Sequence, residues 1–412
     1  MADIDNYESE IERLKSLISG EGTSSLTSFS PEPKKSLEPS STPKSFVTSG
    51  TAQSFSASDS SQSKQAEGTK PENLETKKTP NVTSGPVGLD IGTSHVVSAY
   101  KKGESIRTFK QLNAFFTIPA SNFTKDILAQ NNIMFFEFDK KFYISGFAAD
   151  GFANMFNTNT RRSIEKGILS PRESEGIQVI KAVVSSIVSK PTKFGETICF
   201  SVPGQPIDSN ISLVYHESVI KRFLSTLGYV PISINEGLAV VMSELKNENY
   251  TGIGISFGGG MCNVCLSYYS VPVITFSIQR GGDYIDAMAG ASIGEPATKM
   301  KGIKEAGLDF TSKDTSDRAI IAIHIFYDDL IITLLKAMRD VFSSSERIPK
   351  LDRPIPIILS GGTSLPNGFR DRFQKAMKAV KLPLEISYIN VAEEPLTSIA
   401  KGAYLMALTE SA

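Results

Sequence analysis

In ISFGGGMCNV, residues 255–264, three consecutive glycines (Gly258, Gly259 and Gly260) stand between two short apolar runs. Three glycines cost backbone entropy and offer no side chains to a core. Something must therefore approach this backbone too closely for a side chain. A turn without side chains also lets backbone N–H groups reach phosphate oxygens. A related turn occurs in GLDIGTSHVVSAY, residues 88–100, where Asp90 precedes Gly92, Thr93 and Ser94. Each reads as a strand, a tight glycine turn and a second strand, followed after further strands by helices. The repetition predicts two similar α/β halves whose turns face a shared cleft and clasp a polyphosphate from both sides. The Walker pattern GxxxxGK[ST] is absent, and no GxGxxG opens a helix after the first strand, which argues against P-loop and Rossmann sites.

The elements that must position these turns begin at Gly85. Strand-like runs such as VGLDIG, TICFSVP, GIGISF, CNVCLSYY and IPIILS alternate with helical patterns such as SEGIQVIKAVVSSIVSK and GFRDRFQKAMKAV. That alternation predicts an α/β fold with partly parallel sheets. A long helix is expected from Asp317 to Phe342, with Ile320, Ile323, Leu330 and Leu334 on one stripe. Residues 19–84 are dominated by Ser, Thr, Pro and Lys, a composition that predicts a disordered linker. Ahead of it, Ile4, Tyr7, Ile11, Leu14 and Ile18 form one apolar stripe at helical spacing, expected as a short amphipathic docking or coiled-coil helix over residues 1–18. Its acidic polar face argues against a membrane-surface helix.

The 412 residues allow two domains with sizeable cores. The 43 Lys and Arg balance 44 Asp and Glu, so there is no electrostatic footprint for nucleic acid. No apolar run is long enough to span a membrane, and the N-terminus lacks signal-peptide features. Cys199, Cys262 and Cys265 make no disulfide framework, and a reducing cytoplasm is the expected compartment. Cys262 and Cys265 have CxxC spacing, but in a strand they face opposite sides and no His completes a metal site. His95, His216 and His324 are scattered, so no triad or metal cluster is expected.

Read together, these runs resemble the actin, heat-shock-chaperone and sugar-kinase superfamily of ATPases over residues 86–412. GLDIGTS is similar to its first phosphate loop, ISFGGGMCNV to its second, and IILSGGTSLPNGF to its adenosine loop. SVPGQP followed by INEGLAVV resembles the connecting region before the second loop. EPLTSIAKGAYLMAL resembles the second connecting helix as carried by the rod-shape-determining bacterial actins, which also have counterparts of RGGDYID and IEKGILSP.

The resemblance implies an actin-like fold: two duplicated RNase H-like halves around a nucleotide cleft, with a disordered N-terminal tail. Domain I would cover residues 85–238 and domain II residues 239–395, with residues 396–412 returning to domain I. It implies ATP and Mg²⁺ as ligands. Asp90 would hold the metal through water, while Gly92, Thr93 and Ser94 wrap the phosphates from one side and Gly258, Gly259 and Gly260 from the other. Glu236 would orient the attacking water. Gly361, Gly362 and Thr363 would pass under the adenosine, and Lys304 would lie near the base or ribose.

The second loop departs from the family pattern, with Ser256 where the aspartate is usual, Met261 for threonine and Asn263 for an acid. Nucleotide binding should therefore survive better than hydrolysis. No substrate-binding domain follows the core, as a heat-shock chaperone would need, and no acid for a sugar hydroxyl stands out. The expectation is a cytoplasmic actin-like protein that forms head-to-tail filaments, with weak or slow ATPase activity. Its N-terminal helix and tail would recruit an unknown protein partner. The alternative is a non-polymerising ATP-binding regulator or chaperone-like ATPase of the same fold.

Overall fold

The structure is a computed structural model that describes residues 9, 11–12, 82–156, 159–170, 173–312 and 316–411. The expected linker over residues 19–84, apart from residues 82–84, and most of the expected N-terminal helix lie outside the described residues. Within the span expected as linker, Val82–Thr83 pairs in parallel with Lys190–Pro191.

Two five-stranded sheets carry the fold. The first contains β1 (Val87–Ile91), β2 (His95–Lys102), β3 (Ser105–Leu112), β4 (Thr197–Val202) and β5 (Val230–Asn235) in the order β3-β2-β1-β4-β5. The second contains β6 (Gly252–Phe257), β7 (Cys262–Tyr268), β8 (Val271–Ile278), β9 (Ile355–Ser360) and β10 (Ile386–Val391) in the order β8-β7-β6-β9-β10. Within each sheet the first three strands form an antiparallel meander and the last two join in parallel. The two orders are the same, so the duplication suggested by the glycine turns extends through both sheets. Gly252–Phe257 is buried at every position, as a central strand covered on both faces requires.

Helices α1 (Gly176–Ile187) and α2 (Val214–Thr226) pack against the first sheet, sharing a core of Leu89, Val183, Phe200 and Leu224. Helices α3 (Glu236–Glu244) and α8 (Ser398–Glu410) pack on each other between the sheets. Of these, α8 contacts β1, β2 and β4, and α3 contacts β6 and β7. The division expected at 238/239 thus falls inside α3. The second sheet packs on α4 (Gly282–Ile293), α5 (Ala297–Glu305), α6 (Arg318–Ser344) and α7 (Phe369–Val380). Asp317 caps α6 by accepting from the Ala319 N–H at 2.8 Å, and Ile323, Leu330 and Leu334 of its stripe are buried.

A three-stranded antiparallel sheet (Phe115–Pro119, Lys141–Ser145 and Phe135–Phe138) is inserted in the first half, with the helix Phe147–Met155 after it. Cys199, Cys262 and Cys265 are free and buried. Among the described residues no helix is long and apolar enough to cross a membrane.

Candidate functional site

The two glycine turns both line one cleft of about 840 Å³. Asp90, Gly92, Thr93 and Ser94 from the first half line it together with Glu236, Gly258, Gly259, Gly260, Lys304, Gly361, Gly362 and Thr363. Every site residue expected from the sequence therefore lies in a single cavity.

Local chemistry explains each position. Asp90 is the penultimate residue of β1, and Ser201 on the neighbouring parallel strand β4 holds this strand end through two hydrogen bonds. The Ser201 hydroxyl donates to Asp90 Oδ1 at 2.8 Å and accepts the Ile91 N–H at 3.0 Å. Asn113 fastens the first turn from outside, its Nδ2 donating to Gly92 O and its N–H to Ser94 O, both at 3.0 Å.

Glu236 is the first residue of α3, directly after the cap Asn235, whose side chain accepts from the Gly237 and Leu238 N–H groups. Its carboxylate is buried. Oε2 accepts from Ser256 Oγ at 2.9 Å and from Asn263 Nδ2 at 2.8 Å. Asn263 is oriented by its other end, where Oδ1 accepts the Gly204 N–H at 2.8 Å. Ser256 and Asn263, where the resemblance implied acids, thus hold Glu236 rather than leave a gap.

The glycines are required by close approach. A Cβ on Gly260 would stand 2.5 Å from Thr93 Oγ1 and 2.8 Å from the Lys166 Cα, and one on Gly259 would stand 2.3 Å from Ser94 Oγ. The second turn therefore sits against the first turn and against the Lys166–Gly167 bend. Two carbonyls of this turn are engaged by α4 and Thr363. Gly258 O accepts the Gly282 N–H at 3.0 Å and Thr363 Oγ1 at 3.0 Å, and Gly259 O accepts the Asp283 N–H at 2.8 Å. The N-terminus of α4 is capped by this loop. Gly361, with φ of +92°, has no room for a side chain, since a Cβ would meet Phe257 O at 2.3 Å.

Lys304 lies in the cavity, but its ammonium is engaged at α4, donating to Gly282 O at 3.0 Å and Asp286 Oδ2 at 2.8 Å.

Sequence reasoning missed several groups here. Arg162 Nη1 donates to both oxygens of Asp283, at 2.9 and 2.8 Å, and links the two halves. Gly167 donates its N–H to Thr93 Oγ1 at 3.0 Å and lies under the Met261 side chain. The segments IEKGILSP and RGGDYID signalled the regions around these contacts, but the partners themselves are far apart in sequence. Ser201 opens the quoted run SVPGQP, which signalled its region but not its partner, and Asn113 carried no local signal.

The electrostatics set the acids apart. Burial, with the Asp90 charge added, pushes Glu236 up to about 8 against the opposing donors Ser256 and Asn263. Burial pushes Asp90 up to about 6 against Ser201. Burial, with Lys110, Lys301 and Arg162 nearby, holds His95 down at about 4 and therefore neutral. Among the described residues no lysine or arginine hydrogen-bonds either acid, so two recessed carboxylates face the cavity without a cation. That donor set fits a hard dication shared with a polyphosphate better than an all-protein metal cage. Among the described residues no cluster of three His, Cys, Asp or Glu forms such a cage.

Comparisons with solved structures agree with this architecture. The chain is similar to a protein described as "MamK double helical filament", at 14% identity and TM-score 0.60, covering 79% of this chain and 99% of that one. It is similar to MreB5 of Spiroplasma citri bound to ADP, at 14% identity and TM-score 0.54, covering 80% and 98%. With AMPPNP bound, the same protein gives 14% identity and TM-score 0.55, covering 80% and 97%. At such low identity these likenesses establish the fold, which is actin-like. No curated protein matches at the sequence level. The family model described as Volactin matches residues 86–407, which takes in both sheets, both glycine turns, the cavity between them and most of α8. The chain belongs to the Volactin family.

Proposed function

We propose that this protein binds Mg-ATP in the cleft between its halves, hydrolyses it slowly and assembles head-to-tail into filaments in the cytoplasm. The observation that carries this reading is the meeting of two glycine turns, one from each duplicated half, over the paired acids Asp90 and Glu236. Backbone N–H groups of Thr93 and Ser94 on one side, and of Gly259 and Gly260 on the other, suit a chain of phosphates, while the Gly92 and Gly258 N–H groups close the two turns on His95 O and Met261 O. Asp90 would hold Mg²⁺ through water, and the metal would neutralise charge on the phosphates. Gly361, Gly362 and Thr363 would lie under the adenosine. Lys304, tied to Asp286, would shape the nucleoside end of the pocket rather than donate to the base.

Glu236 would orient the attacking water. Phosphoryl transfer needs positioning and charge stabilisation above all. A carboxyl held by Ser256 and Asn263 and pushed up to about 8 keeps its proton near neutrality and accepts a proton poorly. That supports slow rather than fast hydrolysis.

Self-assembly is supported by the filament named for the similar MamK structure. Heterologous contacts that do not close generate such polymers. Electron microscopy and pelleting of the purified protein with Mg-ATP test this reading. Filaments that persist while ATP is slowly consumed are expected. A protein that binds Mg-ATP yet stays monomeric at all concentrations would instead be a non-polymerising regulator.

A further inference from the structure

We infer that Ser277, on the outer strand of the second sheet, is a positioning residue for Glu236 that acts through Gly204 and Asn263; the inference rests on the nucleotide reading above. Beyond Ser201, which holds Asp90, the chain leaves β4 and crosses to the second half as the run Gly204–Asp208. β8 is an edge strand, so one side of its backbone can take a further strand. The run takes the Ser277 end of that side, in parallel. The Ser277 N–H donates to Gln205 O at 3.1 Å and Ser277 O accepts the Ile207 N–H at 3.0 Å. One residue pair further on, Asp208 Oδ2 accepts the Gln279 N–H at 2.9 Å. The Ser277 hydroxyl donates to Gly204 O at 2.8 Å, so all three polar groups of this buried residue serve the run.

Ser277 stands directly opposite Asn263 in the β7–β8 ladder, which puts both side chains on one face. Gly204 lies against that face, its carbonyl on Ser277 and its N–H on Asn263 Oδ1 at 2.8 Å. A Cβ on Gly204 would stand 2.7 Å from the Phe276 carbonyl carbon, so only glycine comes this close. The Gly204 N–H decides which way the Asn263 amide faces, because an amide accepts at one end and donates at the other. With Oδ1 on Gly204, Nδ2 faces Glu236 Oε2 and donates to it at 2.8 Å. Reversed, the amide would set N–H against N–H and oxygen against carboxylate. Ser256 donates to the same Oε2, and Oε1 accepts no hydrogen bond among the described residues. Oε1 is therefore the oxygen left to address a water. Loosening Gly204 frees the amide to turn, and the carboxylate with it. Ser277 itself lies outside the cleft lining, so the relay reaches the acid without touching the phosphates.

The test measures, on the full chain, Mg-ATP affinity by calorimetry and phosphate release from pre-bound Mg-ATP. Ser277→Ala should slow phosphate release about tenfold, the factor that one lost hydrogen bond implies, with ATP affinity unchanged. Asn263→Ala should slow it at least as much. Adding Ser277→Ala to Asn263→Ala should slow it no further, since residues that act through one another are not additive. Gly204→Ala, whose Cβ pushes the run off Phe276, gives the same comparison from a second position. Losses that add in the double variant, or Ser277→Ala and Gly204→Ala both releasing phosphate at the parent's rate, would overturn the relay. Weaker ATP binding in Ser277→Ala with unchanged release would assign Ser277 to the shape of the cleft and overturn it equally. A parent that binds no Mg-ATP, or binds it and releases no phosphate, would overturn the nucleotide reading itself and this inference with it.

Discussion

Glu236 shows how a substitution can keep a geometry while altering its chemistry. Ser256 and Asn263 stand where the resemblance read from the sequence implied acids, and each donates to the same carboxylate oxygen. Two acids in their place would face Glu236 and Asp90 with like charge, whereas two donors stabilise a single buried carboxyl. This arrangement predicts a pH signature. The folded state retains the Glu236 proton up to about 8, while the unfolded chain loses it near 4.5. The folded state then binds more protons between those values, so its stability is highest at low pH and falls as pH rises through about 8. Below 6.5 the neutral histidines His95, His216 and His324, each held near 4, act in the opposite sense. The clean window is therefore pH 6.5 to about 8. Without metal or nucleotide, the melting temperature of the parent should fall across that window, and Glu236→Gln should be nearly flat. A parent flat over the same range would show that Glu236 is ionised in the folded state.

At the scale of elements, the glycines mark where backbones meet. Gly402 on α8 crosses α3 so closely that a Cβ would stand 1.8 Å from Ala239 O, and Gly88 on β1 approaches Ala400 O to 2.1 Å on the same measure. Backbone cannot give way as a side chain can, so Gly402→Ala should force α8 off α3. We expect a loss of about 3 kcal/mol or more in urea unfolding, and a change below about 0.5 kcal/mol would contradict this contact. These elements were largely legible in the sequence. The β1–β2 and β6–β7 turns, the long helix α6 and the glycine pair at Gly361 each carry local signals of period, turn chemistry or capping. The partners that complete the site were not legible. Ser201 meets Asp90, Arg162 meets Asp283 and Asn263 meets Gly204 because of sheet order and half-to-half packing, which local propensity does not encode. For Lys304 a place in the cleft was legible, but its capture by Asp286 depends on the packing of α4 against α5.

The two halves meet through the glycine turns, the α3–α8 pair, the pairing of residues 204–208 with Asn263, Ser277 and Gln279 and, among the described residues, the Arg162–Asp283 ion pair. Arg162 and Asp283 keep 26% and 42% of their side-chain surface exposed, so their pairing adds only about 0–1 kcal/mol to stability. Its role is to hold the halves in register. Arg162→Ala should leave the unfolding midpoint almost unchanged while raising amide exchange around Lys166–Gly167 and Gly258–Met261. Unaltered exchange there would mean that the remaining contacts between the halves hold them together without this ion pair.

The central claim is that this cleft is a Mg-ATP site built around Asp90. Titration calorimetry of the full chain with ATP, with and without Mg²⁺, tests it for the parent and for Asp90→Ala. One ATP per chain and tighter binding with Mg²⁺ are expected for the parent. Asp90→Ala should lose most of that Mg²⁺ dependence while still melting near the parent's temperature. A parent that binds no ATP, or an Asp90→Ala variant with undiminished Mg²⁺ dependence, would contradict it.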